Sequence, residues 1–254
     1  MIKKGSLLLL LIFSIHTYAN DKIVGGSRVQ DFSEAAFMVS FIGECGGSII
    51  DEQWILTAAH CKSILKKGSR AGSLRRSSGG ISLEVTDVII HPKFNPYNYN
   101  YDFALVKISS PIDFENSNIR KINISDETYF NSGLESEGVM STVYGWGFER
   151  ENGKISEYLN KVELPIVSNT TANLPDYYRG NIDDIVFAAG VAEGGIDACQ
   201  GDSGGPLVTY NAFNEPILVG IVSWGVGCAR ENEYGIYSRV SAVSEWIRST
   251  IQSN

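Results

Sequence analysis

The sequence predicts an all-β chain, either an antiparallel sandwich or a set of barrels. Its apolar residues come in short bursts separated by polar or glycine-containing stretches. Its 254 residues include 26 Gly and 12 Tyr but only 7 Pro, a turn-rich and β-inclined composition. No repeat of fixed period runs through it. The strand-like bursts are Ala36–Ile42, Gly47–Leu56, Ile81–Ile90, Phe103–Ile108, Val139–Tyr144, Leu159–Val167, Pro206–Tyr210, Ile217–Trp224 and Gly235–Val240. Ser69–Gly80 reads as a basic, flexible loop, and Phe114–Ser136 as a polar crossover between two halves. Only the C-terminus reads as helical. Ser241 is the expected N-cap, and Val243, Trp246, Ile247 and Ile251 share one face, which is expected to pack on the second half.

Composition narrows the functional classes. With 43% hydrophobic and 20% charged residues, the chain is neither disordered nor fibrous. Its length suits one large β-domain or two small ones. A net charge of −8 argues against nucleic acid or an anionic membrane as a partner. Lys3 and Lys4, the apolar run Leu7–Phe13 and the small residues around Tyr18 read as a secretory signal peptide over residues 1–19. The run falls short of the ~20 residues that span a bilayer. Secretion, extracellular or periplasmic, favours disulfides between Cys45, Cys61, Cys199 and Cys228. Three pairings are open, of which Cys45–Cys61 with Cys199–Cys228 is the simplest. No C-x-x-C spacing supports zinc, and no metal or cofactor is expected.

Three segments stand apart chemically: Trp54-Ile-Leu-Thr-Ala-Ala-His60-Cys61, Asn100-Tyr-Asp102-Phe-Ala-Leu-Val, and Asp197-Ala-Cys-Gln-Gly-Asp-Ser203-Gly-Gly-Pro206. Singly, each has an ordinary structural explanation. A histidine beside a cysteine is usually structural, an aspartate at a strand mouth is usually a turn residue, and Gly201–Gly205 could be a mere turn. Yet only His60 and His91 would remain after signal removal, so general-base candidates are few. The glycines around Ser203 also let backbone N–H groups approach a reacting oxygen.

Jointly, the segments resemble the trypsin-like (chymotrypsin-fold) serine endopeptidases. Ala58-Ala59-His60-Cys61 and Gly201-Asp202-Ser203-Gly204-Gly205-Pro206 match the signature segments of that family. Ile23-Val24-Gly25-Gly26, Gly145-Trp146-Gly147 and Ser223-Trp224-Gly225 also match, so the likeness runs from Ile23 to the C-terminal helix. The resemblance implies two antiparallel six-stranded β-barrels, about 23–120 and about 135–254, with the active site in the cleft between them and a C-terminal α-helix. It implies a catalytic unit of His60, Asp102 and Ser203, and an oxyanion hole from the N–H groups of Gly201 and Ser203. It puts Asp197 on the floor of the primary pocket beside Ala198, lines that pocket with Gly225, Gly227 and Gly235, and gives Ser223, Trp224 and Gly225 the substrate backbone.

Residues 20–22 would be an activation peptide, cut after Lys22 so that the new Ile23 ammonium meets Asp202. Removing residues 1–22 takes three basic residues and one acidic residue, moving the net charge from −8 to −10. The implied partners are protein or peptide substrates with Arg or Lys, and protein protease inhibitors, met by a monomer. Ala198 stands where many trypsins carry serine, which predicts a preference for Arg over Lys. The loop Ser69–Gly80 carries Arg70, Arg75 and Arg76 and no carboxylate where calcium-binding relatives carry acidic ligands, so no calcium site is expected there. Two other readings compete: a catalytically inactive homologue acting as a secreted binding protein, and an unrelated adhesion module. The intact His60, Asp102 and Ser203 oppose the first, and the joined motifs oppose the second.

Overall fold

A computed structural model describes residues 23–42 and 44–254. The proposed signal and activation segments, with Lys22, lie outside the described residues. The chain is mostly β. Its strands are β1 (Ser27–Arg28), β2 (Met38–Phe41), β3 (Cys45–Asp51), β4 (Trp54–Thr57), β5 (Ser69–Ala71), β6 (Ile81–Leu83), β7 (Val85–Ile90), β8 (Ala104–Ile108), β9 (Asn123–Ile124), β10 (Met140–Gly145), β11 (Asn160–Val167), β12 (Val186–Ala189), β13 (Pro206–Tyr210), β14 (Pro216–Trp224) and β15 (Gly235–Arg239). The N-terminal half is a curled seven-strand sheet in the order β6-β5-β2-β3-β4-β8-β7. In the C-terminal half β11-β10-β13-β14-β15-β12 closes into a six-strand barrel, because β12 returns to β11. Closure leaves this barrel no free edge to cap.

Sequence and structure part at several elements. The bursts Gly47–Leu56 and Ile81–Ile90 each divide into two strands. Ser69–Ala71, read as loop, is a strand paired with β2 and β6, and Ser69 Oγ donates to the Leu83 carbonyl (2.9 Å). The rest of that arginine loop is tied down too. Arg75 bridges to Tyr158, and the Glu157 carboxylate accepts from Ser77 Oγ (2.8 Å). The loop is therefore built rather than free.

The crossover contains β9 and a short helix α1 (Glu127–Asn131), and a second short helix α2 (Asn169–Ala172) follows β11. The C-terminal helix α3 (Ser244–Ser253) is entered through a 3-10 turn at Ser241–Val243. Ser241 does not cap it. Its hydroxyl donates to buried Glu135 (3.2 Å), which also accepts from Arg239 (2.6 Å) and Ser125 (2.7 Å). A buried carboxylate without donors is costlier than a missing cap.

Helix α3 also reaches beyond the second half. Trp246 packs edge-on against His91 (4.6 Å between ring centroids), which stacks on Tyr101 (4.8 Å) in the first half. His91 is 6% exposed, and its Nδ1 accepts from the Lys93 amide (3.2 Å). Burial, helped by nearby Lys93, lowers its pKa to about 4. The unfolded chain therefore binds a proton between about pH 6.5 and pH 4 that the folded chain refuses. This contribution is intact above pH 6.5 and lost as pH falls toward 4. Replacing His91 by Phe is expected to flatten the fall in Tm across that window, measured by calorimetry. An unchanged slope would exclude His91 as its source.

Candidate active site

The register of one strand pair brings two of the candidate residues together. β4 and β8 run antiparallel with Thr57 opposite Ala104. Residues just after Thr57 and just before Ala104 thus emerge at the same sheet end. His60 sits there in a 3-10 turn (Ala59–Ser63), and Asp102 lies two residues before the start of β8. The His60 amide donates to Asp102 Oδ1 (2.9 Å), and His60 Nδ1 lies 2.7 Å from Asp102 Oδ2. Asp102 is fully buried, so its charge depends on such donors. A third comes from the other half: Ser223 Oγ donates to Asp102 Oδ2 (2.6 Å). Ser223, expected from the resemblance only to contact substrate, thus also holds the carboxylate, a role that no local pattern signals.

The glycines of the serine segment let the two halves meet. The Gly46 amide donates to the Ser203 carbonyl (2.8 Å). A Cβ on Gly204 (φ +75°) would lie 2.2 Å from Thr57 Oγ1, and one on Gly46 would lie 3.1 Å from the Gly205 Cα. Only glycine allows this crossing. The disulfide Cys45–Cys61 anchors the first half beside it, and Cys199–Cys228 ties the serine segment to the pocket wall. This is the simplest of the three pairings. Cys45, His60 and Cys61 are the one compact His/Cys/acid group among the described residues, and both sulfurs are consumed by the disulfide.

His60 and Ser203 line one cleft of about 830 Å³. The His60 ring is hydrogen-bonded to Asp102 and not to Ser203, and a base–nucleophile contact of this kind often tightens only in the substrate complex. Among the described residues, neither the Gly201 nor the Ser203 amide donates to another protein group. The Gln200 carbonyl accepts from the Phe148 amide (2.8 Å). In a trans peptide the following N–H points the opposite way, so Gly201 N–H is turned away from Phe148. Gly201 has φ +96°, which favours glycine.

Asp197, Ala198, Ser223, Trp224, Gly225, Gly227 and Gly235 all line the same cleft. Asp197 is 5% exposed; Oδ2 accepts from the Ala229 amide (3.0 Å), while buried Oδ1 has no partner. Burial, the largest influence, pushes its pKa up to about 7, against two backbone donors that lower it. A Cβ at Gly235 would sit 2.8 Å from Asp197 Oδ1, so that wall position must be glycine. At Gly225 the nearest atoms would be 3.9 Å away, so its neighbours do not demand glycine there. Gly227 is constrained differently: its φ is +76°, and a Cβ would lie 2.2 Å from Arg230 Nε.

Behind the serine, Asp202 is fully buried and accepts from the Gly147 (2.7 Å) and Cys199 (2.9 Å) amides. A Cβ on Gly145 or Gly147 would come within 1.9 or 2.5 Å of its carboxylate, which is why Gly145-Trp146-Gly147 needs both glycines. Desolvation raises its pKa to about 7, and no cation faces it among the described residues. Ile23 is fully buried in one apolar cluster with Val143, Phe187 and Leu207, and the Val24 carbonyl accepts from the Asp197 amide (3.2 Å). The sequence also gave no warning of Tyr99, whose ring packs edge-on to His60 (5.4 Å).

A carboxylate–imidazole pair whose imidazole shares one cleft between two β-halves with a serine is the arrangement of a serine hydrolase. The comparisons narrow this class. A family model described as Trypsin matches residues 23–247. The chain is 37% identical over 237 residues to Trypsin 5G1 of Aedes aegypti, spanning 91% of this chain and 85% of that protein. It is 34% identical over 250 residues to Trypsin-1 of Gadus morhua, spanning 97% of this chain and 98% of that protein. It is 37% identical over 219 residues to Transmembrane protease serine 11G of Rattus norvegicus, spanning 85% of this chain and 51% of that protein. The chain belongs to the trypsin family and is a trypsin-like serine protease. No helix among the described residues is long and apolar enough to cross a membrane.

Proposed function

We propose that this protein is a secreted endopeptidase made as a zymogen, activated by cleavage after Lys22, and that it hydrolyses peptide bonds after Arg and Lys. The carrying observation is Asp102, fully buried, which accepts from Ser223 and pairs with His60, and His60 lines one cleft together with Ser203 and Asp197. Asp102 fixes His60 with Nδ1–H toward the carboxylate, leaving Nε2 free as a base. His60 takes the Ser203 proton as the oxygen attacks the scissile carbonyl. The developing oxyanion is met by the Gly201 and Ser203 amides. His60 then protonates the leaving amine, and water attacks the acyl-enzyme by the reverse proton route.

In this reading the unpartnered Asp197 oxygen receives the substrate cation by a charge-assisted hydrogen bond. Ala198 offers no hydroxyl to a Lys ammonium, so Arg is favoured. The cation-free Asp202 is the acceptor for the Ile23 ammonium released by cleavage, which would stabilise its charged form and hold Gly147 and the serine segment in place.

The test is to cut the precursor after Lys22 and assay peptides ending in Arg, Lys, Phe and Ala. Hydrolysis of Arg first and Lys second is expected, abolished by a serine-directed covalent inhibitor and absent before cutting. No hydrolysis of any peptide would favour a secreted binding protein instead.

A further inference from the structure

The cleft extends well beyond the pocket of Asp197, onto a surface that peptide-bond cleavage itself does not require. Two loops build this extension. From the first half come Tyr97, Tyr99 and Asn100; from the second come Tyr178, Asn181 and Asp183. Tyr99 and Tyr101 hold left-handed backbone, with φ of 59° and 55°. Such backbone is unfavourable for a bulky residue and persists only where its surroundings hold it. Asn100 lies between them and donates to Asp183 Oδ2 across the halves (2.7 Å). The Ile185 amide steadies the other carboxylate oxygen (3.3 Å). Asp183 remains exposed to solvent, with lone pairs to spare. Tyr178 packs edge-on to Trp224 (5.5 Å), so this segment lies next to the strand edge Ser223–Gly225.

The charge distribution of the lining is one-sided. Among the described residues, Asp183 and Asp197 are its two carboxylates, and no Lys or Arg lines it. Buried Asp197 Oδ1 has no partner, which points to a cationic ligand in this cleft. Aromatic faces around a carboxylate also suit a cation. In the proposed function, Asp197 holds the residue on the acyl side of the scissile bond, and the chain before it runs along Ser223–Gly225 past Trp224. An extended strand advances about 3.3 Å per residue and alternates its side chains. Residues shortly upstream therefore pass Tyr99, Trp224 and Asp183.

We propose that Asp183 is a specificity-determining residue that selects substrates with a second cationic side chain within three residues upstream of the one held by Asp197. This rests on the proposed cleavage after Arg or Lys. The exposed carboxylate, which faces no cation in the lining, supplies the selection, Asn100 aims it across the cleft, and the tyrosines flank the bound cation.

The experiment uses the chain processed at Lys22 and fluorogenic tetrapeptide amides, all ending in Arg. Each of the three preceding positions carries Arg, Gln or Glu in turn. At one position at least, kcat/KM should run Arg over Gln over Glu, spanning about three- to tenfold as suits an exposed charge contact, and shrinking with added salt. Asp183→Asn keeps an oxygen for Asn100 and should reduce the span to within about twofold. Asp184→Asn, its exposed neighbour outside the cleft lining, should leave the span intact. Equal rates for Arg, Gln and Glu at all three positions, or a preference that survives Asp183→Asn, would overturn the proposal. If Asp183→Asn fails to fold, the wild-type ranking and its salt dependence decide. Failure to cut any Arg-ended peptide removes the underlying function and this proposal with it. Uniform cutting removes this proposal alone.

Discussion

Replacing Ser203 by Ala is expected to lower kcat on an Arg-ended peptide amide by on the order of 10⁶ in the processed chain, with KM little changed. The size follows from what is lost. Without the hydroxyl there is no acyl-enzyme, and His60 and Asp102 have no proton to move for it. The Gly201 and Ser203 amides and the Asp197 pocket would remain, leaving a residual rate about 10³–10⁴ above water. His60→Ala should cost about the same, and the double variant little more, because residues acting as one unit are not additive. Kinetics on the three variants checks this. Independent, multiplying losses would show that the two residues do not share a step.

The second large effect concerns Asp197. Asp197→Asn keeps the shape of the pocket and removes its charge. A guanidinium buried there would lose its counter-ion, at a cost of about 3–5 kcal/mol. That corresponds to about 10²–10⁴ in kcat/KM for Arg-ended peptides, while Ala-ended peptides should hardly change. The same substitution should affect the empty enzyme oppositely. Burial raises the Asp197 pKa to about 7, so its ionised form costs folding energy increasingly as pH climbs from about 4 to 7. Asp197→Asn is therefore expected to raise Tm at pH 8 and to change it little at pH 4. A drop in Tm at pH 8 would show that the charge is compensated in the unliganded fold.

The sequence revealed the chemistry more fully than the architecture. His60, Asp102 and Ser203 could be picked out because each sits in a short segment whose neighbours are constrained: small residues before His60, an apolar strand after Asp102, glycines around Ser203. What joins them could not be read. The His60–Asp102 contact spans 42 residues and the Ser223–Asp102 contact 121, and no local pattern reports either. Gly145 and Gly147 were visible as a match, but their cause, the carboxylate of Asp202, lies 55 residues beyond Gly147.

Some strands were hidden for physical reasons. Val186–Ala189 is buried on both faces, so it has no alternation, and two of its four residues are alanines. Ser69–Ala71 carries polar residues whose hydrogen bonds are satisfied only by partners in the fold. The apolar face of α3 was legible, but its packing on His91 was not, because a helix face does not name its partner.

The central claim is that the freed Ile23 amine, by meeting Asp202, readies Ser203 to be acylated. Its most direct test is a burst experiment with an Arg ester that forms a slowly hydrolysed acyl-enzyme, followed by peptide mapping of the trapped species. The expected result is one burst product per processed chain, the acyl group on Ser203, and no burst from the uncut precursor. A burst of equal size from the precursor, or an acyl group on any other residue, would contradict it.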